Sequence, residues 1–232
     1  MQNLNLNKEK VLNLKKDRGI DGQKARVVFC VDYSGSMSGL YRSGKVQKVL
    51  ERLFPVAMAF DDDQSMEFYL FQNDYRRCPA VKLSNVDSYI DEIVMKQDYE
   101  MGGTSYSPVL KKAIKPMTES GWFLGFGSSR KKLDAPVYVI FLTDGECDDK
   151  SATYEIVKDL SSTGAFIQFI GIGNDQFNTL QKLDDLTGRA LDNADFFPIN
   201  DIEKISDDKL YSRLMTEFPG WVREAKNAGF IN

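Results

Sequence analysis

The sequence predicts an α/β protein, a doubly wound and mainly parallel sheet flanked by helices on both faces. Three observations carry that expectation. Val27-Val28-Phe29-Cys30-Val31 is an unbroken run of β-branched, aromatic and small apolar residues, the pattern of a strand buried on both faces. Strand-like runs alternate with helical segments for most of the length, which argues parallel strands joined by crossovers. Polar turn residues follow two of the runs directly, at the carboxyl ends where open α/β sheets bind ligands.

Residues 1–24 read as an N-terminal extension and residues 25–232 as one domain, with no internal repeat and no linker. In the extension Leu4, Leu6, Val11, Leu12 and Leu14 are interleaved with lysines. That spacing leaves an edge strand and a segment coiled against the domain equally open. Arg26–Val31 is the first central strand. A helix is expected over Lys45–Phe60, with Val46, Val49, Leu50, Leu53, Phe54 and Ala57 on one face. Pro55 should kink or break it, and Asp61-Asp62-Asp63 closes it. Met66–Phe71 is the next strand and Cys78–Leu83 a short edge strand. Asn85 or Asp87 can cap a helix reaching Met95. Another helix begins at Ser107-Pro108, with proline in the first turn, and runs to about Thr118. The glycine- and serine-rich stretch 119–135 reads as a flexible insertion exposing Trp122, Phe123 and Phe126. Pro136–Leu142 is a second central strand, followed by a helix over Ser151–Ser162, a strand at Phe166–Ile172 and a helix near Asp175–Leu186. A strand at Asp195–Ile199 precedes a helix or helix pair over Ile202–Asn227, with Phe218 and Trp221 packing it onto the sheet.

Composition narrows the function classes. The 232 residues are 42% hydrophobic and 28% charged, as in a soluble globular domain, with a formal net charge of −4. That charge disfavours nucleic acid as a partner. Nothing in Met1–Lys16 resembles a signal peptide and no stretch is long enough to span a membrane. The three cysteines (Cys30, Cys78, Cys147) are scattered and odd in number, so the expected compartment is the reducing cytoplasm. The chain contains no histidine. Ser-His-Asp and Cys-His catalysis and histidine-bearing zinc sites are therefore excluded.

The chemistry-bearing residues lie in three segments. Asp32-Tyr33-Ser34-Gly35-Ser36 follows the first central strand and offers a carboxylate and two hydroxyls at alternating positions. Gly102-Gly103-Thr104-Ser105 offers a hydroxyl on a glycine loop. Leu142-Thr143-Asp144-Gly145 offers a carboxylate after the second central strand. An oxygen-only set suits a hard divalent cation rather than zinc. Asp-x-Ser-x-Ser, then Thr, then Asp, in that chain order, resembles the metal-ion-dependent adhesion site of von Willebrand factor A (vWA) domains, a Rossmann-like fold. The resemblance implies one divalent cation, Mg²⁺ first, with Mn²⁺ or Ca²⁺ open. Ser34, Ser36 and Thr104 would ligate it by their hydroxyls, and Asp32 and Asp144 directly or through water. It further implies a position left open for an acidic side chain of a partner protein, and a binding role rather than an enzyme.

Nearly the whole chain also resembles the cytoplasmic, TerF-like vWA proteins of bacterial tellurium-resistance systems. The stretches that carry this are Leu40–Gln47, Pro55–Asp62, Met101–Tyr106 and Glu217-Phe218-Pro219-Gly220-Trp221. A role in a stress-resistance complex is the implied function. Two other readings remain open: a metal-dependent hydrolase or phosphatase with Asp32 as nucleophile, and a structural scaffold whose loop binds nothing.

Three further patterns invite interpretation. Glu146, Asp148 and Asp149 read as a solvated helix start, with a second cation site as the sharper alternative. Gly39–Val46 has the spacing of a phosphate-binding loop, but Val46 stands where a Ser or Thr is required; Gly44 then simply opens the next helix. Tyr33, Tyr41, Tyr99 and Tyr106 flank the candidate loops and divide between core packing and a partner-facing rim.

Overall fold

The computed structural model describes residues 2–119 and 132–232. The first apolar run is strand β1 (Arg26–Asp32), followed by β2 (Met66–Phe71), β3 (Tyr75–Val81), β4 (Val137–Thr143), β5 (Ala165–Ile172) and β6 (Ala194–Ile199). They form one sheet in the order β3-β2-β1-β4-β5-β6. Only the β2–β3 hairpin is antiparallel, which puts β3 on an edge as expected. Successive crossovers build outward from β1 in one direction and from β4 in the other. The switch point therefore lies between β1 and β4, which pair from Arg26↔Val137 to Val31↔Leu142. Every residue of β4 and β5 is buried, as is all of β1 after Arg26, which explains why these strands read as continuous apolar runs.

Side-chain alternation sends the strands into two cores. One face, carrying Phe29, Val31, Ile140 and Phe166, packs under α1 (Gln2–Asp17), α3 (Lys45–Phe60), α8 (Asp207–Leu214) and α9 (Phe218–Asn227). The other, carrying Val28, Cys30, Val139 and Phe141, packs under a helical segment over 107–119, α6 (Lys150–Leu160) and α7 (Asn178–Asp184). The 107–119 segment is α4 (Ser107–Val109), a π turn (Leu110–Ile114) and α5 (Lys115–Glu119). Phe218 stacks on Tyr138 with ring centroids 4.4 Å apart, and Trp221 stacks on Phe218 at 5.8 Å, so these two aromatics do fasten the C-terminal helix to the sheet.

Three expectations change. The N-terminal extension is neither a strand nor irregular coil: it is helix α1, lying against α3 and α8. Pro55 does not break α3, which runs through it to Phe60 with Pro55 buried on the core side. The helix expected to reach Met95 is instead a 3₁₀ turn (Val86–Ser88) followed by a π turn (Ile90–Val94). Of the expected 119–135 insertion, residues 120–131, with Trp122, Phe123 and Phe126, lie outside the described residues. The phosphate-loop spacing at Gly39–Val46 falls on the short helix α2 (Ser38–Arg42) and a left-handed Gly44 (φ 72°) that opens α3.

Candidate metal centre

β1 and β4 end side by side at the switch point and deliver the Asp32 and Thr143-Asp144 side chains to one crevice. Asp32, the last residue of β1, is fully buried. Its Oδ1 accepts the Ser34 backbone N–H at 2.8 Å, a local turn that Asp favours because its short side chain reaches two residues on. Its Oδ2 accepts the Thr143 hydroxyl at 2.6 Å, 111 residues away in sequence. The Tyr106 hydroxyl lies 3.1 Å from Thr143 Oγ1 and donates at 2.5 Å to the Gly145 carbonyl. The Tyr41 hydroxyl donates to the Asp32 carbonyl at 2.9 Å. The strand ends are thus locked together from below.

Above this layer the chain turns through a 3₁₀ turn (Gly35–Met37) that lifts Ser36 into solvent. Ser34 Oγ lies 3.0 Å from Ser36 Oγ, and the Ser36 hydroxyl donates to Asp144 Oδ1 at 2.9 Å. Four of the five candidate ligands therefore form one hydrogen-bonded group. Thr104 comes in by its backbone. Ser34 and Gly102 form an isolated parallel bridge, with Gly35 N–H donating to Gly102 O at 3.0 Å. Thr104 O in turn accepts the Asp148 N–H at 2.8 Å. The glycine loop is held between the β1 and β4 loops, with Thr104 half-buried. A Cβ at Gly102 would meet the amide end of the Gln72 side chain, which would have to swing aside.

Electrostatics follow from burial. Burial first pushes the Asp32 carboxyl up to about 6, against the hydrogen bonds from Ser34 and Thr143. Asp144 is also raised, by burial and then by the nearby Asp175 charge, while the Ser36 hydroxyl opposes the rise. A buried carboxylate at Asp32 beside a half-buried one at Asp144, with the buried Ser34 hydroxyl between them and exposed Ser36, forms a group that gains from a cation.

The 3.0 and 2.9 Å separations are ordinary O–H···O hydrogen bonds, which bring the two hydroxyls and the Asp144 carboxylate to one point. All donors are oxygen, as a hard cation requires.

The acidic run beside Asp144 does lead into α6, with Asp148 exposed and Asp149 directly before its first residue. Its carboxylates also reach across to other loops. Asp149 accepts the Tyr106 and Ser107 N–H groups at 2.9 and 2.8 Å, capping α4 from another loop. Asp148 accepts the Thr104 N–H at 3.3 Å. Glu146 accepts the Thr179 N–H at 3.0 Å and its hydroxyl, bracing α7. Each carboxylate thus braces a neighbouring loop or helix. The tyrosines are mostly not a rim: Tyr33, Tyr41 and Tyr106 are buried. Tyr99 is half-buried, stacked on Tyr33 at 5.7 Å, with the Arg76 guanidinium over its ring at 4.5 Å. Thr143, Tyr41 and Tyr106 are positioning residues that sequence reasoning missed. The available signal was Thr143 itself, a hydroxyl at the last position of an otherwise apolar strand.

Known proteins share this architecture. The chain is 33% identical over 233 residues to the uncharacterized protein YcbR of Bacillus subtilis (strain 168), covering 100% of this chain and 91% of that protein. Solved structures with similar folds include a von Willebrand factor type A protein from Catenulispora acidiphila (TM-score 0.57, 15% identity, 84% of this chain and 43% of that one). The mussel-byssus proximal thread matrix protein 1 with a zinc-occupied MIDAS motif has a TM-score of 0.55 and 15% identity, over 85% of this chain and 46% of that one. Manganese-loaded Plasmodium vivax TRAP protein has a TM-score of 0.55 and 18% identity, over 82% of this chain and 73% of that one. The chain spans less than half of the first two of these structures. Residues 24–231 match the family described as vWA found in TerF C terminus, and with almost the whole domain matched the chain belongs to this vWA-TerF-like family.

Proposed function

We propose that this protein is a cation-dependent protein-binding module in which Ser34, Ser36 and Thr104 hydroxyls and the Asp32 and Asp144 carboxylates hold one Mg²⁺. A partner protein supplies an acidic side chain to the ion's open position. The carrying observation is the hydrogen-bonded convergence of Ser34, Ser36 and Asp144 above Asp32, an all-oxygen donor set that suits a hard divalent cation. Structures of the same fold that carry zinc or manganese support a divalent cation. Two protein carboxylates at most leave the ion electrophilic, so it attracts an anion. The exposed Ser36 and half-buried Asp144 and Thr104 leave that position facing solvent.

The hydrolase reading fares worse. Asp32 is fully buried with both oxygens engaged by Ser34 N–H and Thr143 Oγ1, which suits a fixed acceptor rather than an attacking nucleophile. Lys45, the cation of the phosphate-loop pattern, lies 3.9 Å from Asp201. On family likeness we assign the module to the cytoplasm and to a tellurium- or stress-resistance complex. Within the helices of the described residues, none is long and apolar enough to cross a membrane.

The test is capture from native lysate on the immobilised full chain, in Mg²⁺ and in EDTA, with Thr104→Ala and Asp144→Ala in parallel. A partner retained only in Mg²⁺ and lost in both variants supports the reading. A partner retained in EDTA and by Asp144→Ala places the interface elsewhere.

A further inference from the structure

At the pole of the sheet opposite the candidate centre, three acids from distant parts of the chain meet. Asp184 ends α7, Asp195 is the second residue of β6, and Glu217 immediately precedes α9. Each contributes one carboxylate oxygen, and the three oxygens lie within 4.8 Å of one another. Oxygens this close can share one hard divalent cation.

A second observation points to a ligand. Asp195 is only 7% exposed, and its Oδ2 is buried with no hydrogen-bond partner among the described residues. A buried carboxylate oxygen left unpaired costs free energy that a bound cation would recover. Arg189, whose charge acts on Asp184 and Glu217, is engaged elsewhere: it donates to the Leu186 and Asp184 carbonyls at 2.7 and 2.6 Å and pairs with Asp192 at 2.7 Å, while Asp195 feels the charge of Arg213. Burial, and next the Asp195 charge, push both Asp184 and Glu217 up to about 7, as in a crowded anionic pocket. Glu217 also lines an open cavity of about 290 Å³ with Arg18, Asp192 and Trp221, which provides an entry path.

We propose that Asp184, Asp195 and Glu217 bind a second hard divalent cation, with Ca²⁺ as the probe ion, which ties α7, β6 and α9 together. The site is separate from the adhesion-type centre and independent of its reading.

Terbium(III), a luminescent calcium substitute, gives a local readout on the full chain. Trp221 sits one helical turn beyond Glu217, its backbone N–H donating to the Glu217 carbonyl at 3.0 Å, and lines the same cavity as Glu217, near enough to sensitise an ion held there. The expected result is tryptophan-sensitised emission that Ca²⁺ displaces. It should be lost in Trp221→Phe, Asp195→Asn and Glu217→Gln and kept in Asp144→Asn. As a check that does not depend on the cluster variants folding, Ca²⁺ at a hundredfold excess over its Kd should raise the Tm of Asp144→Asn by roughly 5–10 °C. Emission that survives in the folded Asp195→Asn and Glu217→Gln proteins, or an Asp144→Asn protein whose Tm ignores Ca²⁺, overturns the proposal.

Discussion

Ser36 joins the two halves of the candidate centre, because its hydroxyl touches both Ser34 and Asp144. It is exposed, so its removal should spare the fold. Ser36→Ala is expected to weaken Mg²⁺ binding at least tenfold by calorimetry while shifting stability by less than about 0.5 kcal/mol. In Gly102→Ala the added methyl pushes aside the end of the flexible Gln72 side chain next to the loop, so cation affinity should fall with only a small change in Tm, read by calorimetry and thermal melting. Ser34, Ser36, Thr104 and Asp144 were legible in the sequence because an oxygen-rich turn after an apolar strand has a fixed place in an open sheet. The supports were not. Thr143 reaches Asp32 only because β1 and β4 are neighbours, and no local pattern encodes that pairing.

At the scale of elements, the same limit explains α1. Its core-facing positions are Leu4, Asn7, Val11 and Lys15, which keep helical spacing but are half polar, while Leu6 is 60% exposed. The apolar residues therefore trace no helical face in the sequence. Lys15 is accommodated by donating to the Ala59 carbonyl at 2.7 Å and lying over the Phe60 ring at 4.2 Å. Val11→Ala, at a fully buried position of this helix, should cost about 1–3 kcal/mol in chemical denaturation. The buried strands of the sheet, by contrast, were legible nearly to the residue, since burial on both faces leaves mostly apolar side chains in them; the half-exposed edge strand was not, being expected at Cys78–Leu83 and lying at Tyr75–Val81. Asp149 makes a pH prediction. Burial alone would raise its carboxyl, but hydrogen bonds from Ser107, Tyr106 and Thr153 hold it below the ordinary 3.8. A depressed carboxylate stabilises the fold above its unfolded pKa and loses that contribution as pH falls through the folded value. Asp149→Ala should therefore cost about 1 kcal/mol at neutral pH, and the difference from wild type should vanish as the pH is lowered below about 3.8.

Over the whole molecule, the sheet divides the protein into two cores that meet the candidate centre from opposite sides: Tyr41 reaches it from the α3 face and Tyr106 from the α6 face. Loss of either core should disturb the site at a distance. Phe218→Ala removes the ring stacked between Tyr138 and Trp221 and should cost about 3–5 kcal/mol in denaturant titration.

The contact between Ser36 and Asp144 closes a loop of 108 residues, and that between Asp32 and Thr143 one of 111. Chain segments so far apart meet late, after the central strands have already zipped together, because loop closure precedes the reward of the contact. A cation therefore finds no preassembled ligand cluster in the unfolded chain or early on the pathway. Its whole stabilising effect should fall on the escape from the native state: stopped-flow chevrons with and without Mg²⁺ should share a refolding limb and separate on the unfolding one. Read this way, the ion is a latch on a finished molecule, one that lengthens its lifetime without helping to build it.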